Sequence, residues 1–245
     1  MSNHHHTGVI DTEGRLPDFL AHFHKLFAKH QTALRGRWEA FWATEQTSAV
    51  ELVEADDILG KMVYALANPV KDHIVEKVHH WPGVNALAAL VASKPLTATR
   101  PRTFFRPDGT LPERVTLTFD RPSALAYLSR AAFVTELQVR VAEVEKQAAA
   151  DRARTGKRIV GRQAVLKQPW SHSPTTREPR RRLDPRVACK NTWRRIETLR
   201  RNKAWLAAYN QARTALVAGL KASFPAGTFW LKRFGRVSCE PAPAG

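Results

Sequence analysis

The sequence predicts an α+β fold, in which an N-terminal region of mixed strands and helices precedes a mainly helical, basic C-terminal region. Apolar residues recur at helical spacing in several segments, and shorter segments bounded by proline or glycine alternate as strands do. The charge is also unevenly distributed. Residues 1–150 contain 17 Lys and Arg and 17 Asp and Glu, whereas residues 151–245 contain 22 basic and 5 acidic residues.

The first predicted elements are a strand, a helix and a second strand. Residues 4–10 are expected to form the first strand. Apolar residues recur at helical spacing over residues 17–35, which predicts an amphipathic helix, and Gly36 suits its C-terminal cap. The segment 49–53 suits a short strand.

A second helix is expected over residues 55–68. Its apolar residues are spaced by four, and Pro69 should end it because proline disfavours helical backbone in the preceding residue. The proline-rich stretch that follows contains one alternating strand, over residues 114–119. Ser123 is then expected to cap a long helix that runs to about residue 154.

The C-terminal region is expected to contain two consecutive basic helices, one from residue 188 and one over about 203–218, and then a terminal strand over 227–237. Two such helices are compatible with a helical DNA-binding unit and also with a bundle whose outer face is solvated, and the nearly single-sign charge favours nucleic acid. Composition places the domain limits at 1–92, a proline-rich connection over 93–122, and a basic region over 123–245.

The composition excludes several classes of protein. Hydrophobic residues make up 43% of the 245 residues, which is enough for a buried core. No run of eighteen apolar residues suggests a membrane span, and no basic segment followed by an apolar one suggests a secretory signal. Cys189 and Cys239 form no close pair, which favours free thiols in a reducing cytoplasm.

Three consecutive histidines, His4, His5 and His6, follow closely on the start methionine. In a strand, residues two apart project from the same face, so His4 and His6 would present two imidazoles to one side. Two imidazoles form half of a divalent-metal site. The alternative is the remnant of a purification tag, although such tags usually contain a longer run of histidines.

Tyr64 and Asn68 are four residues apart on the second predicted helix, so they point the same way. A tyrosine hydroxyl can attack a phosphodiester when a metal ion withdraws charge from the phosphate. The amide oxygen of Asn68 could supply a third ligand for a hard metal such as magnesium or manganese. Alternatively, Tyr64 is a half-buried core aromatic whose hydroxyl reaches the surface.

The stretch around Tyr64 resembles the catalytic stretch of the single-tyrosine HUH transposases, in particular the REP-associated tyrosine transposases. The resemblance covers residues 1 to about 90. The residues that carry it are the block Tyr64-Ala65-Leu66-Ala67-Asn68-Pro69-Val70-Lys71, the pair Ile74-Val75, the turn His80-Trp81-Pro82, the histidine segment Ser2-Asn3-His4-His5-His6, and the aromatic residues Trp38, Phe41 and Trp42.

This resemblance implies a site and an activity. His4, His6 and Asn68 would bind Mg²⁺ or Mn²⁺, and Tyr64 would attack a phosphate in single-stranded or hairpin DNA. The products would be a 5′-phosphotyrosine link and a free 3′-hydroxyl, and a 3′-hydroxyl of the same or another strand would later reverse the step without ATP. The implied fold over residues 1–92 is a ferredoxin-like HUH core that contains the histidine strand and the tyrosine helix.

The chain departs from the family pattern at its start. Family members have further strands and a helix before the histidine strand, so the resemblance predicts an incomplete, N-terminally truncated core. A catalytic strand at a chain terminus is expected to fray, because no neighbouring strand pairs with its outer edge. Activity is therefore expected to depend on whatever completes the sheet.

The basic region is predicted to bind nucleic acid, because contacts from Lys and Arg to phosphates dominate nucleic-acid affinity through counterion release. The alternative is a solubilising surface, which more often carries charges of both signs. The predicted contact residues are arginines of an exposed arm and of the first basic helix: Arg177, Arg180, Arg181, Arg182, Arg186, Arg194, Arg195 and Arg201.

Three other functions stay open on the sequence alone. A noncatalytic DNA- or RNA-binding protein would use only the basic region, and a degenerate transposase remnant would have no activity. A different metal enzyme would use other histidines, such as His22, His24, His79 and His80, which are more often surface or packing residues. No membrane partner is expected, and a homodimer is compatible with the sequence.

Overall fold

The computed structural model of the chain has an α+β fold, as its helical and strand periodicities predict. It describes residues 4–42, 47–169, 171–172 and 185–241. The strands in these ranges pair only two at a time. Contacts between residues divide the chain into two units. The first comprises residues 1–8, 52–98 and 114–185, and the second comprises residues 9–51, 99–113 and 186–245.

Seven helices and six short strands occur in the described ranges. The helices are α1 Leu16–Arg35, α2 Ala55–Lys71, α3 Leu87–Ala92, α4 Arg130–Thr155, α5 Arg162–Lys167, α6 Thr192–Val217 and α7 Phe229–Gly235. The strands are β1 Glu51–Leu52, β2 Leu96–Thr99, β3 Arg114–Leu117, β4 Val187–Ala188, β5 Ser223–Phe224 and β6 Ser238–Cys239. None of the described helices is both long enough and apolar enough to span a membrane.

The core of the first unit forms where α2 packs against α4. One face of each helix is apolar, and burying both faces together removes them from water. The unit therefore joins a helix of the region 1–92 to a helix of the region 123–245. The buried hydrophobic residues that these two helices contribute to the core are Leu59, Val63, Leu66, Ala67, Val70, Phe133, Leu137, Val141 and Ala148.

The C-terminal end of α2 differs from the prediction, because the helix continues through Pro69 to Lys71. Proline removes one backbone N–H donor from a helix. The helix is less destabilised when the backbone hydrogen bonds after the proline are still formed. Here the backbone N–H of Asp72 still donates to the Asn68 carbonyl at 3.0 Å. Pro69 and Val70 are also fully buried, so apolar burial offsets the lost hydrogen bond.

The chain reverses direction directly after α2. His73 has a φ of 56°, a left-handed conformation that residues other than glycine rarely adopt. Its carbonyl accepts a hydrogen bond from the N–H of Val160 at 3.1 Å, and the Ile74 carbonyl accepts one from Gly161 at 2.9 Å. His73 Nε2 also lies 3.2 Å from Asp151 of α4. These contacts fix the end of α2 against the loop that follows α4.

The start of α4 also differs from the prediction. Ser123 does not cap the long helix but begins a short 3₁₀ turn, Ser123–Leu125, which places Leu125 in the core. The helix begins after Ser129, whose hydroxyl oxygen accepts a hydrogen bond from the Ala132 N–H at 3.1 Å. The predicted end is confirmed, because Gly156 adopts the left-handed cap conformation at a φ of 67°.

The strand predictions are confirmed only in part. Residues 4–10 form no strand, because no described segment pairs with them and a lone strand has no hydrogen-bond partner for its backbone. The strand predicted over 49–53 shortens to β1. The strand predicted over 114–119 is present as β3, and it pairs with β2.

In the second unit, α1 confirms the predicted first helix, and Gly36 ends it at a φ of 59°. The two predicted basic helices are instead the single helix α6, because the stretch between residues 199 and 206 contains neither glycine nor proline to interrupt it. The strand predicted over 227–237 is largely the helix α7. Its aromatic residues Trp230 and Phe234 are spaced for a helical contact, and their ring centroids lie 5.0 Å apart.

The second unit has a small core around α6. Phe224 of β5 is fully buried, and its ring lies 5.4 Å from that of Tyr209. The Tyr209 ring stacks on Trp205, whose indole N–H donates to the Ala226 carbonyl at 2.6 Å. The parallel pair β5 and β6 closes this cluster, with Ser223 opposite Ser238. Most of the remaining surface of α6 is exposed.

Replacing Leu137 by alanine is expected to destabilise the first unit by about 2–5 kcal/mol, because the side chain is fully buried between α2 and α4 and its loss leaves a cavity. Val139→Ala on the same helix is the control, since Val139 is 59% exposed and should change stability by less than about 0.5 kcal/mol. Urea unfolding of the full chain measures both. An equal change in stability for Leu137→Ala and Val139→Ala would contradict the burial of Leu137 between α2 and α4.

Candidate active site on the tyrosine helix

One face of α2 carries a line of polar side chains. Asp57, Lys61, Tyr64, Asn68 and Lys71 recur at intervals of three and four residues, so they lie along one side of the helix. The opposite side is buried against α4. The Tyr64 side chain is 38% exposed, so this line presents a phenolic hydroxyl at the surface.

The histidine segment lies beside this tyrosine. The ring centroid of His6 is 5.3 Å from that of Tyr64, and the two ring planes are inclined by 68°. The ring centroid of His4 is 5.1 Å from that of His6. His4 and His6 are therefore adjacent, as alternation predicted, although their segment is not a strand. The structure brings together two imidazoles and a phenol that are separated by about sixty residues of sequence.

The surroundings of His6 favour its neutral form. Burial is the largest cause that lowers the pKa of His6, and the charges of His4 and His5 come next. The ammonium of Lys61 lowers this pKa further, while the carboxylate of Asp72 opposes the shift. A neutral imidazole has a nitrogen lone pair available, which is the form that binds a metal ion.

Asn68 lies one helical turn beyond Tyr64, and its side chain is buried. Its Oδ1 has no hydrogen-bond partner, so no hydrogen bond joins it to His4 or His6. A buried amide oxygen without a partner is uncommon, because its desolvation is then uncompensated. The structure therefore places Asn68 one helical turn from Tyr64, with a buried amide oxygen that accepts no hydrogen bond.

Two lysines near Tyr64 were missed by the sequence analysis. Lys61 Nζ lies 5.4 Å from the centroid of the Tyr64 ring, and Lys71 Nζ lies 5.1 Å from it. Lys61 precedes Tyr64 by three residues and Lys71 follows it by seven, both of which are same-face spacings on a helix. The three-residue spacing of Lys61 from Tyr64 could be recognised in the sequence. Lys71 lies on this face only because the helix continues through Pro69, which the sequence did not predict.

The residues around Tyr64 fit a metal ion in part. In the described portion of the chain, no Cys, Asp or Glu completes a group of three ligands with His4 and His6. An amide oxygen, such as Asn68 Oδ1, would be the third ligand. At the start of α2, the carboxylates of Glu54 and Asp57 have oxygens within 4.8 Å of one another.

Four of the eight predicted nucleic-acid contacts lie in the second unit. Arg201 is already engaged, because it pairs with the Glu51 carboxylate, which Asn202 also contacts at 3.1 Å. Arg194 lies 3.6 Å from Glu197. Arg195 is exposed on the same helix, and Arg186 immediately precedes β4. The other four, Arg177, Arg180, Arg181 and Arg182, lie outside the described residues.

Comparison with known proteins adds no relative. No protein-family model matches the chain, and neither a curated protein nor a solved structure is similar to it. The likeness of the tyrosine block to HUH transposases therefore stays a prediction from the residues. The geometry around Tyr64 is the basis for assigning chemistry to this chain.

Replacing His4 or His6 by alanine is expected to weaken Mn²⁺ binding at least about tenfold, because either change removes one imidazole of an adjacent pair. His5→Ala is the matched control. His5 is not one of the three rings in the row from His4 through His6 to Tyr64, so its loss leaves both imidazoles of the adjacent pair in place. Paramagnetic broadening of the Tyr64 ring signals by Mn²⁺ measures the affinity. Unchanged broadening in the His4 and His6 variants would exclude a metal site at this pair.

Proposed function

We propose that this protein is a transposase-like DNA strand-transfer protein, which cuts and rejoins single-stranded or hairpin DNA through a covalent link to Tyr64. The observation that carries the proposal is the row of His4, His6 and Tyr64, in which each ring is within 5.3 Å of the next. An exposed phenol beside two imidazoles and two ammonium groups combines a nucleophile, metal ligands and positive charge for a phosphate.

The proposed step is an exchange of phosphodiester bonds at Tyr64. The hydroxyl oxygen of Tyr64 attacks the phosphorus and forms a tyrosyl phosphate ester, and the bond from phosphorus to the 3′-oxygen breaks. The phenol loses its proton and the leaving 3′-oxygen gains one, so a free 3′-hydroxyl results. Later attack by a 3′-hydroxyl reverses the exchange. The number of phosphate ester bonds is conserved, so no nucleotide hydrolysis is needed.

His4, His6 and Asn68 are the residues that would bind Mg²⁺ or Mn²⁺ in this proposal. A bound divalent ion would withdraw charge from the scissile phosphate and lower the barrier to attack. The low pKa of His6 favours the unprotonated ring that such a ligand needs, and the unpartnered Oδ1 of Asn68 suits an oxygen ligand. Rigid support of Tyr64 by α2 would hold the nucleophile in place.

We propose that the histidine segment and α2 are the catalytic parts of a ferredoxin-like HUH core. Tyr64 and Asn68 lie one turn apart on a helix, as the family resemblance implies. The histidines approach this helix from a segment without strand pairing.

The second unit is the proposed DNA-holding part, through the N-terminal half of α6. Trp193 is 80% exposed there, next to Arg194 and Arg195. Aromatic side chains stack on unpaired bases, while arginines bind the phosphates between them. Within the described ranges, Arg195 and Arg200 have no carboxylate within ion-pair distance. The start of α6 thus offers both positive charge and an aromatic surface for single-stranded DNA.

A noncatalytic DNA- or RNA-binding protein is the second candidate function, and the exposed basic start of α6 favours it. Such a protein would need Trp193 and the arginines but not Tyr64. The two candidates therefore differ in one measurable property, which is a covalent protein–DNA adduct.

Tyr64→Phe is expected to abolish that adduct with a pool of hairpin-ended single-stranded DNA in Mn²⁺, because the only group removed is the attacking hydroxyl. Noncovalent DNA binding should stay within about twofold, since the ring is retained. Tyr127→Phe is the control, because Tyr127 is also exposed but is not part of α2. Denaturing gels resolve the adduct. An adduct that survives in the Tyr64 variant would remove this residue from the role.

Changing Arg194, Arg195 and Arg200 together to glutamine is expected to weaken binding to single-stranded DNA and to flatten its salt dependence. Each lost phosphate contact on a single strand reduces the log–log slope by about 0.7. The control changes Arg102, Arg106 and Arg114, which are exposed elsewhere and carry the same total charge. Fluorescence anisotropy at several salt concentrations gives both slopes. Equal slopes in the two triple variants would leave α6 without a specific role.

A further inference from the structure

The two lysines beside Tyr64 approach the same ring from opposite directions along α2. Lys61 lies about one turn before Tyr64, and Lys71 lies about two turns after it. Their ammonium nitrogens are nevertheless 5.4 and 5.1 Å from a single ring centroid. Both side chains must therefore extend along the helix toward Tyr64, so that two positive charges converge on one exposed phenol.

Such convergence is unfavourable unless something of opposite charge compensates it. Two like charges near one another repel, and an exposed cation–π contact contributes only about 0.5–1 kcal/mol. In the described part of the chain, neither Lys61 nor Lys71 has a carboxylate within ion-pair distance. The nearby imidazole of His6 carries no negative charge in either protonation state. The positive charge around Tyr64 is thus left for an anion.

We propose that Lys61 and Lys71 bind the phosphate of the DNA linkage that Tyr64 attacks, one from each end of the tyrosine ring. This inference rests on the proposed function and adds the residues that hold its substrate. A phosphate bound by both ammonium groups would lie beside the Tyr64 ring, because each nitrogen is within 5.4 Å of its centroid. The same charges would stabilise the additional negative charge that develops on the phosphate oxygens during attack.

An ordinary stabilising role explains the lysines less well. Lys71 lies in the last turn of α2, where a cation stabilises the helix dipole by about 0.3–1 kcal/mol. Lys61 lies in the middle of the helix, where this effect is absent. If the lysines only stabilised the helix dipole, Lys71→Gln would cause a small loss of stability. Neither Lys61→Gln nor Lys71→Gln would then affect DNA binding or adduct formation. If the lysines bind phosphate, both substitutions should weaken the reaction with DNA and change stability little.

The test uses the full chain and four variants: Lys61→Gln with Lys71→Gln, Lys61→Arg with Lys71→Arg, Tyr64→Phe, and the control Lys77→Gln with Lys94→Gln. The control lysines are exposed in the same unit and carry the same charge. Each protein is mixed with the hairpin-ended single-stranded DNA pool in Mn²⁺, and the rate of adduct formation is measured. Thermal unfolding checks that each variant is folded.

A second readout does not depend on the chemistry. Lysines are acetylated with and without the same DNA, and mass spectrometry gives the protection of each residue. Lys61 and Lys71 should be protected in the wild type and in Tyr64→Phe, whereas Lys77 and Lys94 should react equally in both conditions. The double glutamine change should slow adduct formation at least about tenfold, which corresponds to about 1.4 kcal/mol. The double arginine change should retain most of the rate, because it keeps both charges.

The outcomes separate this inference from the proposed function. Adduct formation at the wild-type rate in the double glutamine variant would overturn the lysine role and leave the nucleophile in place. Protection of Lys61 and Lys71 without any adduct would support phosphate binding at this face and overturn the strand-transfer function. If neither lysine protection nor an adduct were observed, both the lysine role and the strand-transfer function would be overturned. Protection of all four lysines alike would show nonspecific binding and would also overturn the inference.

Discussion

Packing of α2 on α4 determines which side of the tyrosine helix faces solvent. A helix that buries one apolar face exposes the opposite one, and here the exposed side includes Lys61, Tyr64 and Lys71. The fully buried Phe133 and Leu137 of α4 make this orientation costly to change, because rotating α2 would expose its apolar side chains. The position of the phenol is thus a consequence of a hydrophobic contact on the far side of the helix.

The end of α2 depends on contacts with distant parts of the chain. Helix beyond Pro69 is needed to bring Lys71 to the tyrosine face, and this last turn is unfavourable for proline in isolation. Burial of Val70 stabilises it, and the left-handed His73 then redirects the chain. Hydrogen bonds from Val160 and Gly161 retain that reversal. Residues that belong to the loop after α4 therefore influence the geometry around Tyr64.

Charge around Tyr64 has two compatible effects. Positive charge at Lys61 lowers the pKa of His6, in addition to the larger effect of burial, and so favours an imidazole that can act as a ligand. The same positive charge attracts phosphate. A negatively charged cluster would do the reverse, because it would favour the imidazolium and repel DNA. Asp72 is the one carboxylate that opposes the shift at His6. This balance of charges suits the strand transfer proposed above.

Local periodicity in the sequence determined α1, the existence of α2, the end of α4 at Gly156 and the shared face of Tyr64 and Asn68, because those patterns repeat within a few residues. Only the tertiary structure decided that α2 passes through Pro69 and that His6 lies beside Tyr64 without a strand. These features depend on burial and contacts between residues far apart in sequence. Local spacing carries no information about such contacts, since they arise when the chain packs.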